Sequence, residues 1–137
     1  MKKRYLLNEI NKLDINIKSP FIITLKGDLW SWKTTLSKHI LNNKLKVLDD
    51  VTSPTYTYYN KYNWELDWKD IIIYHFDLYR LKDYDEFFAI GWEEIFDNND
   101  WIILVEWPEL IEKYYNSDLK IILNKTEIGD EREIELI

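Results

Sequence analysis

Short apolar runs recur along the chain, separated by segments in which apolar residues follow helical spacing. Three of the runs are predominantly apolar, and each has the length of a strand with a glycine or an acidic residue at or near its end. Runs of this kind predict buried strands. The three predicted strands are FIITLK (21–26), IIIYHF (71–76) and WIILVEW (101–107).

Helical spacing follows the first of these strands. Leu36, Ile40 and Leu41 share one face of a helix that the pattern predicts from about Lys33 to Asn42. Proline is tolerated in the first turn of a helix, so PELIEKYY is also predicted to be helical. The remaining predicted helices are a short one at 5–14 and a pair within 83–96, separated by a break at Gly91.

Alternating polar and apolar residues predict antiparallel strands in two further places. VTSPTYTYYNKY (51–62) begins with a Ser-Pro turn and continues as an aromatic strand, while 118–126 and 131–137 form a closing hairpin around Gly129-Asp130. Buried strands that alternate with helices indicate the α/β class. The sequence therefore predicts one α/β domain over residues 1–137, with a mixed sheet, flanking helices and a C-terminal antiparallel hairpin.

Composition and charge narrow the possible functions. The chain has 137 residues, a net charge of −7 and a pI near 4.9. This balance argues against a broad nucleic-acid-binding face, because neutralising phosphates needs clustered Lys and Arg, so any RNA would be held by a partner. The absence of Cys excludes disulfides and thiolate metal sites. No apolar run approaches the length of a membrane span, and the N-terminal segment lacks a signal-peptide core, so we expect a cytoplasmic protein without membrane contact.

Residues 27–35, Gly-Asp-Leu-Trp-Ser-Trp-Lys-Thr-Thr, have the layout of a phosphate-binding loop. Gly27, Lys33 and Thr34 match the pattern G-x-x-x-x-G-K-S/T, with Trp32 in place of the second glycine. In this interpretation Lys33 reaches the β- and γ-phosphates of a nucleotide, and the Thr34 hydroxyl binds Mg²⁺. The alternative is an ordinary Lys-Thr pair at the start of a helix.

Acidic residues end the other two buried runs. Glu106 follows IILV and is suited either to hold Mg²⁺ and orient an attacking water, or to remain a solvated carboxylate near a helix start. Asp77 in YHFDLYR has the same two interpretations. The carboxyl ends of central strands meet at one edge of an α/β sheet, so the loop and the two acids together predict a Mg-nucleotide site.

Two other features leave alternatives open. Ser53-Pro54-Thr55 is either a simple turn or a mobile loop whose hydroxyls meet the metal or the γ-phosphate. His39 and His75 lack metal-ligand spacing, and we interpret one as a helix-surface residue and the other as a strand residue.

Four segments of the chain resemble the bacterial TsaE (YjeE) family over about residues 20–135. GDLWSWKTTL corresponds to the family's GDLGAGKTTL and SPTYT to its SPTFT, while YHFDLYRL and LVEWPE are specific to the family. The resemblance implies a P-loop NTPase-like fold, ATP and Mg²⁺ as cofactors, and assembly with the TsaD and TsaB proteins. It also implies a function, namely ATP hydrolysis that supports repeated threonylcarbamoyl addition to adenosine 37 of tRNAs reading ANN codons. The transfer itself belongs to TsaD, so contact with tRNA would be indirect.

The resemblance also implies roles for particular residues. The phosphates would be cradled by the loop residues, and Lys33 and Asp77 would be essential for catalysis together with Glu106. Thr34 and Glu106 would bind Mg²⁺, and Arg132 would match a C-terminal arginine near the nucleotide. The loop residues that would bind the nucleotide are Gly27, Trp30, Ser31, Trp32, Lys33, Thr34 and Thr35.

Trp30 and Trp32 stand where the family has glycines that let the backbone approach the phosphates. An indole at either position competes for that space, so we expect the tryptophan-bearing polypeptide to bind ATP poorly or not at all. Three explanations compete: a decayed ATPase that persists as a scaffold, a deliberately altered sequence, and a decoding error in which UGA read as glycine is translated as tryptophan. We favour the decoding error because the chain has 3 Gly against 7 Trp while the other site residues are all present.

The decoding hypothesis extends to other tryptophans. Trp64, Trp68 and Trp101 also stand where glycine would be unremarkable, whereas Trp107 in the EWPE motif is interpreted as genuine and Trp92 is left undecided. The UGG codon at both 30 and 32 would exclude the hypothesis.

Two other functions compete with the ATPase. One is a non-catalytic scaffold subunit of the same complex with a degenerate P-loop. The other is a small-molecule kinase on the same fold, which would need an acceptor pocket and a lid, and 137 residues leave little room for either.

Overall fold

A seven-stranded mixed sheet forms the centre of the protein. The computed structural model describes residues 1–28, 31–47, 58–66, 68–97 and 101–137. The strands lie in the order β1-β7-β6-β2-β5-β4-β3 across the sheet. In chain order they are β1 (Lys2–Leu6), β2 (Phe21–Lys26), β3 (Tyr59–Leu66), β4 (Lys69–Asp77), β5 (Trp101–Glu106), β6 (Leu119–Lys125) and β7 (Glu131–Leu136).

The central strands are parallel and the outer ones antiparallel. Strand β2 pairs in parallel with both β5 and β6, and β4 pairs in parallel with β5. The three strands predicted from continuous apolar runs are confirmed as β2, β4 and β5, since strands buried on both faces lack alternation. The predicted C-terminal hairpin is confirmed as β6 and β7, which pair antiparallel.

The predicted aromatic strand is confirmed in part. Strand β3 begins at Tyr59 and pairs antiparallel with β4 along its whole length, from Tyr59 opposite Phe76 to Leu66 opposite Lys69. Residues 51–57, which include the Ser53-Pro54-Thr55 motif, lie outside the described residues.

Within the described residues, three short α-helices flank the sheet: α1 (Lys33–His39), α2 (Tyr84–Ile90) and α3 (Glu93–Asp97). Helix α1 continues as a π-helical segment over Ile40–Lys44, so the prediction of a helix from Lys33 is confirmed. The predicted break at Gly91 is also confirmed, because this residue ends α2 with φ 90°, a conformation that glycine adopts without strain.

Two helix predictions are wrong. Residues 5–14 form the end of β1 and a 3₁₀ helix over Leu7–Lys12, because pairing of β1 with β7 draws the chain into the sheet. The PELIEKYY segment forms only a 3₁₀ helix at Pro108–Leu110 followed by turns. Its tyrosines instead stack on the helices, with the rings of Tyr114 and Tyr84 3.6 Å apart.

The core lies on both faces of the sheet, because successive side chains of a strand point to opposite sides. Ile102 and Leu104 face α1, where Leu36 and Ile40 are fully buried. The opposite face carries an aromatic cluster in which Phe76, Phe87, Trp92 and Phe96 pack beside Val105. Among the helices within the described ranges, none has the length and apolar character needed to cross a membrane.

Candidate functional site

The carboxyl ends of β2, β4 and β5 meet at one edge of the sheet. Asp77 and Glu106 are register partners at the last positions of β4 and β5, and Gly27 follows the end of β2. A cavity of about 490 Å³ opens at this edge. Its lining includes residues 31–35 together with Asp77, Glu106 and Arg132. The structure therefore brings together the predicted loop, both acids and the C-terminal arginine.

Gly27 stands where no other residue fits. A Cβ atom added there would lie 2.6 Å from the Leu123 carbonyl oxygen and 2.6 Å from Ser31 Oγ. The backbone oxygen of β6 cannot move away without breaking the sheet, so a side chain is excluded. Beyond Gly27, the backbone N–H of Ser31 donates a hydrogen bond of 3.2 Å to the Asp28 carbonyl oxygen.

Lys33, at the start of α1, is folded into its own loop. Its ammonium group donates to the carbonyl oxygens of Gly27 at 2.5 Å and Asp28 at 2.6 Å, and to Ser31 Oγ at 3.1 Å. Burial lowers the pKa of the Lys33 ammonium, and the nearby carboxylates of Glu106 and Asp77 oppose this shift. The residue is 6% exposed. The loop therefore holds a desolvated positive charge beside the cavity.

The ring of Trp107 covers the Lys33 ammonium from the other side. The distance from Nζ to the ring centroid is 4.2 Å, a cation–π contact. Trp107 has φ 57°, and its ring also lies 4.7 Å from that of Tyr79. Trp107 and Tyr79 line the cavity, although their sequence pattern gives them no role.

Glu106 links the loop helix to the central sheet. Its Oε1 accepts a hydrogen bond of 3.1 Å from the Thr34 hydroxyl, and its Oε2 lies 2.5 Å from His75 Nε2. The Glu106 side chain is 2% exposed, so both oxygens are held in place rather than solvated. The interpretation of Glu106 as a solvated carboxylate is wrong, because burial and two hydrogen bonds fix its position.

Of the two histidines, His75 is the predicted strand residue, and its contact with Glu106 also makes it part of the site. It is fully buried, whereas His39 is buried at the end of α1 and not on the helix surface. Alternation along β4 puts His75 on the same face as Ile73, which is the face covered by α1. A histidine two residues before Asp77 on the strand next to Glu106 is the signal that could have identified it.

Asp77 faces the same cavity from β4. Its Oδ1 accepts a hydrogen bond of 3.1 Å from the backbone N–H of Tyr79, which fixes the turn after the strand. The residue is half-buried and lines the same cavity as residues 31–35. A carboxylate in this position is suited to bind a water or a hydroxyl near an occupant of the cavity.

Trp32 adopts a backbone conformation that favours glycine. It caps α1 with φ 77° and ψ 21°, in the left-handed region that costs a residue with a Cβ about 1–3 kcal/mol. Its ring packs against the core and lies 4.3 Å from the Arg132 guanidinium, on the wall of the cavity. Trp30 lies outside the described residues.

Arg132 reaches the site from β7. Its Nη1 donates to the carbonyl oxygens of Gly129 at 2.8 Å and Glu131 at 2.7 Å, which directs the guanidinium toward Trp32. The residue is 7% exposed. The structure therefore places this arginine at the cavity, where the family resemblance expects it.

The donor set at the cavity fits a magnesium ion bound together with phosphate. Thr34 Oγ1 and Glu106 Oε1 are 3.1 Å apart, close to the roughly 3.0 Å between neighbouring ligands of an octahedral Mg²⁺ with bonds of about 2.1 Å. Within the described parts of the chain, no group of three or more His, Cys, Asp or Glu residues is arranged to hold a metal. Nucleotide-bound Mg²⁺ usually takes only one or two protein ligands, with phosphate oxygens and water completing its shell.

A glycine-led loop after a central parallel strand, a Lys-Thr pair opening the next helix and an acid on the neighbouring strand define a single-domain protein with a P-loop NTPase-like fold. A crystal structure of Bacillus subtilis YdiB matches with a TM-score of 0.71 at 30% identity, covering 98% of this chain and 82% of that one. The family model described as threonylcarbamoyl adenosine biosynthesis protein TsaE matches residues 4–134, and the chain belongs to this family.

Two curated relatives support the same assignment. The tRNA threonylcarbamoyladenosine biosynthesis protein TsaE of Haemophilus influenzae is 38% identical over 125 residues, which are 91% of this chain and 75% of that protein. The protein of the same name from Borreliella burgdorferi is 35% identical over 115 residues, which are 84% of this chain and 80% of that protein. The family resemblance seen in the sequence motifs is therefore confirmed.

Proposed function

We propose that this chain is a cytoplasmic Mg²⁺-dependent ATPase that acts with the TsaD and TsaB proteins in threonylcarbamoyl modification of adenosine 37 in tRNAs reading ANN codons. The observation that carries the proposal is the Thr34–Glu106 hydrogen bond beside the buried Lys33. These three groups are the lysine, hydroxyl and carboxylate that a Mg-nucleotide site requires, and they come from two separate elements of the fold.

Each residue at the cavity would have a distinct role in binding and hydrolysing ATP. Lys33 would exchange the Gly27 and Asp28 carbonyl oxygens for phosphate oxygens, which keeps its charge paired. Thr34 and Glu106 would hold Mg²⁺, and this ion supplies charge neutralisation on the β- and γ-phosphates when bound. Asp77, which also lines the cavity, would orient the attacking water. Arg132 would add positive charge at the loop.

The acidic character of the chain supports an indirect relation to tRNA. A net charge of −7 repels a polyanion, so a partner protein would hold the tRNA while this chain binds and hydrolyses ATP. The energy of hydrolysis would then reset the complex between rounds of modification.

The test of the proposal is calorimetric titration with ATP and Mg²⁺ of the full chain carrying Trp30→Gly and Trp32→Gly. We expect a measurable heat of binding that Lys33→Ala abolishes in the same background. With TsaD, TsaB and tRNA present, the glycine-bearing chain should allow several rounds of modification per complex, and Asp77→Asn should limit it to one round. Absence of binding in the glycine-bearing chain would overturn the ATPase assignment.

One observation favours a second candidate, a non-catalytic scaffold of the same complex. The Trp32 ring forms part of the cavity wall, in the region where the phosphates would lie. The scaffold function requires no heat of binding with either the tryptophan-bearing or the glycine-bearing chain. It also requires that both chains bind the partner proteins equally well.

A further inference from the structure

His75 holds one oxygen of Glu106 from inside the sheet. The two side chains come from neighbouring parallel strands, β4 and β5, and their Nε2 and Oε2 atoms are 2.5 Å apart. Neither side chain is accessible, with exposures of 0% and 2%. The other Glu106 oxygen is the one that accepts from Thr34. One carboxylate therefore has a sheet-facing oxygen held by His75 and a loop-facing oxygen turned toward the cavity.

The hydrogen on His75 can be assigned from its partner. A carboxylate only accepts hydrogen bonds, so the short contact requires that Nε2 carries the hydrogen and donates it to Oε2. Nδ1 is then the ring's remaining polar atom, and it is buried without a hydrogen-bond partner among the described residues. If His75 only filled space, an apolar ring would be more stable there, because a buried nitrogen without a hydrogen-bond partner costs free energy.

We propose that His75 is a positioning residue for the magnesium ligand Glu106. Its Nε2–H fixes Oε2, so the carboxylate cannot rotate and Oε1 stays directed at the Thr34 hydroxyl and at the ion that both would bind. This inference rests on the proposed function, and it assigns a role to a residue that contacts neither nucleotide nor metal. Hydrogen-bonded partners of metal ligands commonly contribute a factor of about 10–100 to metal affinity.

The experiment measures metal affinity directly rather than activity. Mn²⁺ binds the same oxygen ligands as Mg²⁺, and its free fraction is measured by electron paramagnetic resonance during titration into the ADP complex of the Trp30→Gly, Trp32→Gly chain. We expect His75→Leu to weaken Mn²⁺ binding about 10–100-fold. ADP affinity measured in EDTA should stay unchanged, since His75 acts only through the metal ligand.

Two conservative variants separate positioning from packing. The amide nitrogen of His75→Gln reaches the position of Nε2 and should keep most of the Mn²⁺ affinity, whereas the shorter His75→Asn places its donor near Nδ1 and should lose it. If His75→Leu does not fold, the Gln and Asn pair decides the question. Equal Mn²⁺ affinities in Gln and Asn, or a folded Leu variant with parental affinity, would overturn the proposal.

His39→Leu is the matched control. His39 is also buried, with an Nε2 that has no partner within the described residues, but it ends α1 and its Nδ1 contacts Asn43 Nδ2. We expect this variant to bind Mn²⁺ like the parent, and a loss equal to that of His75→Leu would overturn the specific role of His75. Failure of the proposed function gives a different result, because the parent chain itself would then hold no Mn²⁺ with ADP.

Discussion

Thr34, in the first turn of helix α1, donates a hydrogen bond of 3.1 Å to Glu106 at the last position of strand β5. The two residues are 72 positions apart in sequence, and the contact fixes the loop helix to the carboxyl end of the central sheet. Both atoms are also those expected to bind Mg²⁺, so the contact defines where a metal would lie.

Removing the Thr34 hydroxyl should weaken metal-dependent nucleotide binding. Thr34→Val keeps the shape of the side chain but loses the oxygen, and we expect its ATP affinity in Mg²⁺ to fall at least about tenfold. Titration calorimetry in Mg²⁺ and in EDTA, both in the glycine-bearing chain, measures the effect. Thr34→Ser restores the hydroxyl and should bind like the parent, and an equal loss in EDTA would show that Thr34 does not act through the metal.

Replacing Trp32 with glycine should increase nucleotide affinity. The change removes a ring from the cavity wall where the phosphates would lie, so a gain of at least about tenfold in ATP affinity is expected. Competition with a fluorescent ATP analogue measures it in a chain that already carries Trp30→Gly. Trp32→Ala clears the ring but keeps a Cβ, so it should give a smaller gain, and no gain from glycine would contradict the spatial argument.

Trp68→Gly should stabilise the fold. Trp68 directly precedes β4, whose Lys69 pairs with Leu66 of β3, and it has φ 66° and is 94% exposed. Glycine adopts a positive φ without strain, while the exposed Trp68 ring contributes little packing. The free energy of unfolding should rise by about 1 kcal/mol in urea denaturation. Trp68→Ala, which keeps the strained Cβ, should not reproduce the gain.

Replacing Trp92 should destabilise the fold, in contrast to replacing Trp68 with glycine. Trp92 is 7% exposed, and its ring lies 5.4 Å from Phe76 and 5.7 Å from Phe87 within the aromatic cluster. Trp92→Ala should lower the free energy of unfolding by about 3–5 kcal/mol, because it leaves a cavity in the core. Thermal unfolding of Trp92→Ala is compared with that of Trp68→Ala. A smaller loss of stability in Trp92→Ala than in Trp68→Ala would contradict a core role for Trp92.

The codons of the gene should follow this division. We expect UGA at 30, 32 and 68, and UGG at 92 and 107, where the rings pack against the core or Lys33. Reading the nucleotide sequence decides the matter, and intact mass of protein made in its native host checks it independently. UGG at both 30 and 32 would end the decoding hypothesis.

Backbone conformation separates the tryptophans better than the sequence does. Trp64 and Trp101 are half-buried strand residues that pack beside the core, and neither has a positive φ. The backbone conformations of Trp64 and Trp101 therefore do not favour glycine. Trp32 and Trp68 have positive φ values, which do favour it. Positive φ alone is insufficient, since Trp107 has φ 57° and still uses its ring to cover a lysine.

Much of the fold was predictable because its strands are buried on both faces. Continuous apolar runs located β2, β4 and β5, and the residue after each run located the loop and the two acids. The sequence does not predict the N-terminal strand, because Lys2–Leu6 is rich in charged residues, as edge strands often are. This segment becomes a strand only by pairing with β7, which is distant in sequence. The Pro108 segment was overpredicted because its amphipathic pattern reflects aromatic stacking on α2 rather than a full helix.

The candidate site was predictable in its residue types but not in its connections. Local motifs located Lys33, Thr34, Asp77 and Glu106, since each follows directly from a strand end or a loop pattern. The role of His75 depends on which strand lies beside β4 and in what register, and a single sequence does not specify either. The pairing of β4 with β5, which brings His75 beside Glu106, is therefore known only from the structure.

The lysine of the loop loses its water when the chain folds, not when a ligand arrives. Three oxygens of the loop solvate its ammonium group in place of water. An incoming triphosphate would therefore replace one set of oxygen partners by another, because the cost of desolvating the ammonium group is already part of the free energy of folding. Selectivity would then depend on how well the ligand's oxygens compete with carbonyl groups, which favours a highly charged anion over a neutral molecule.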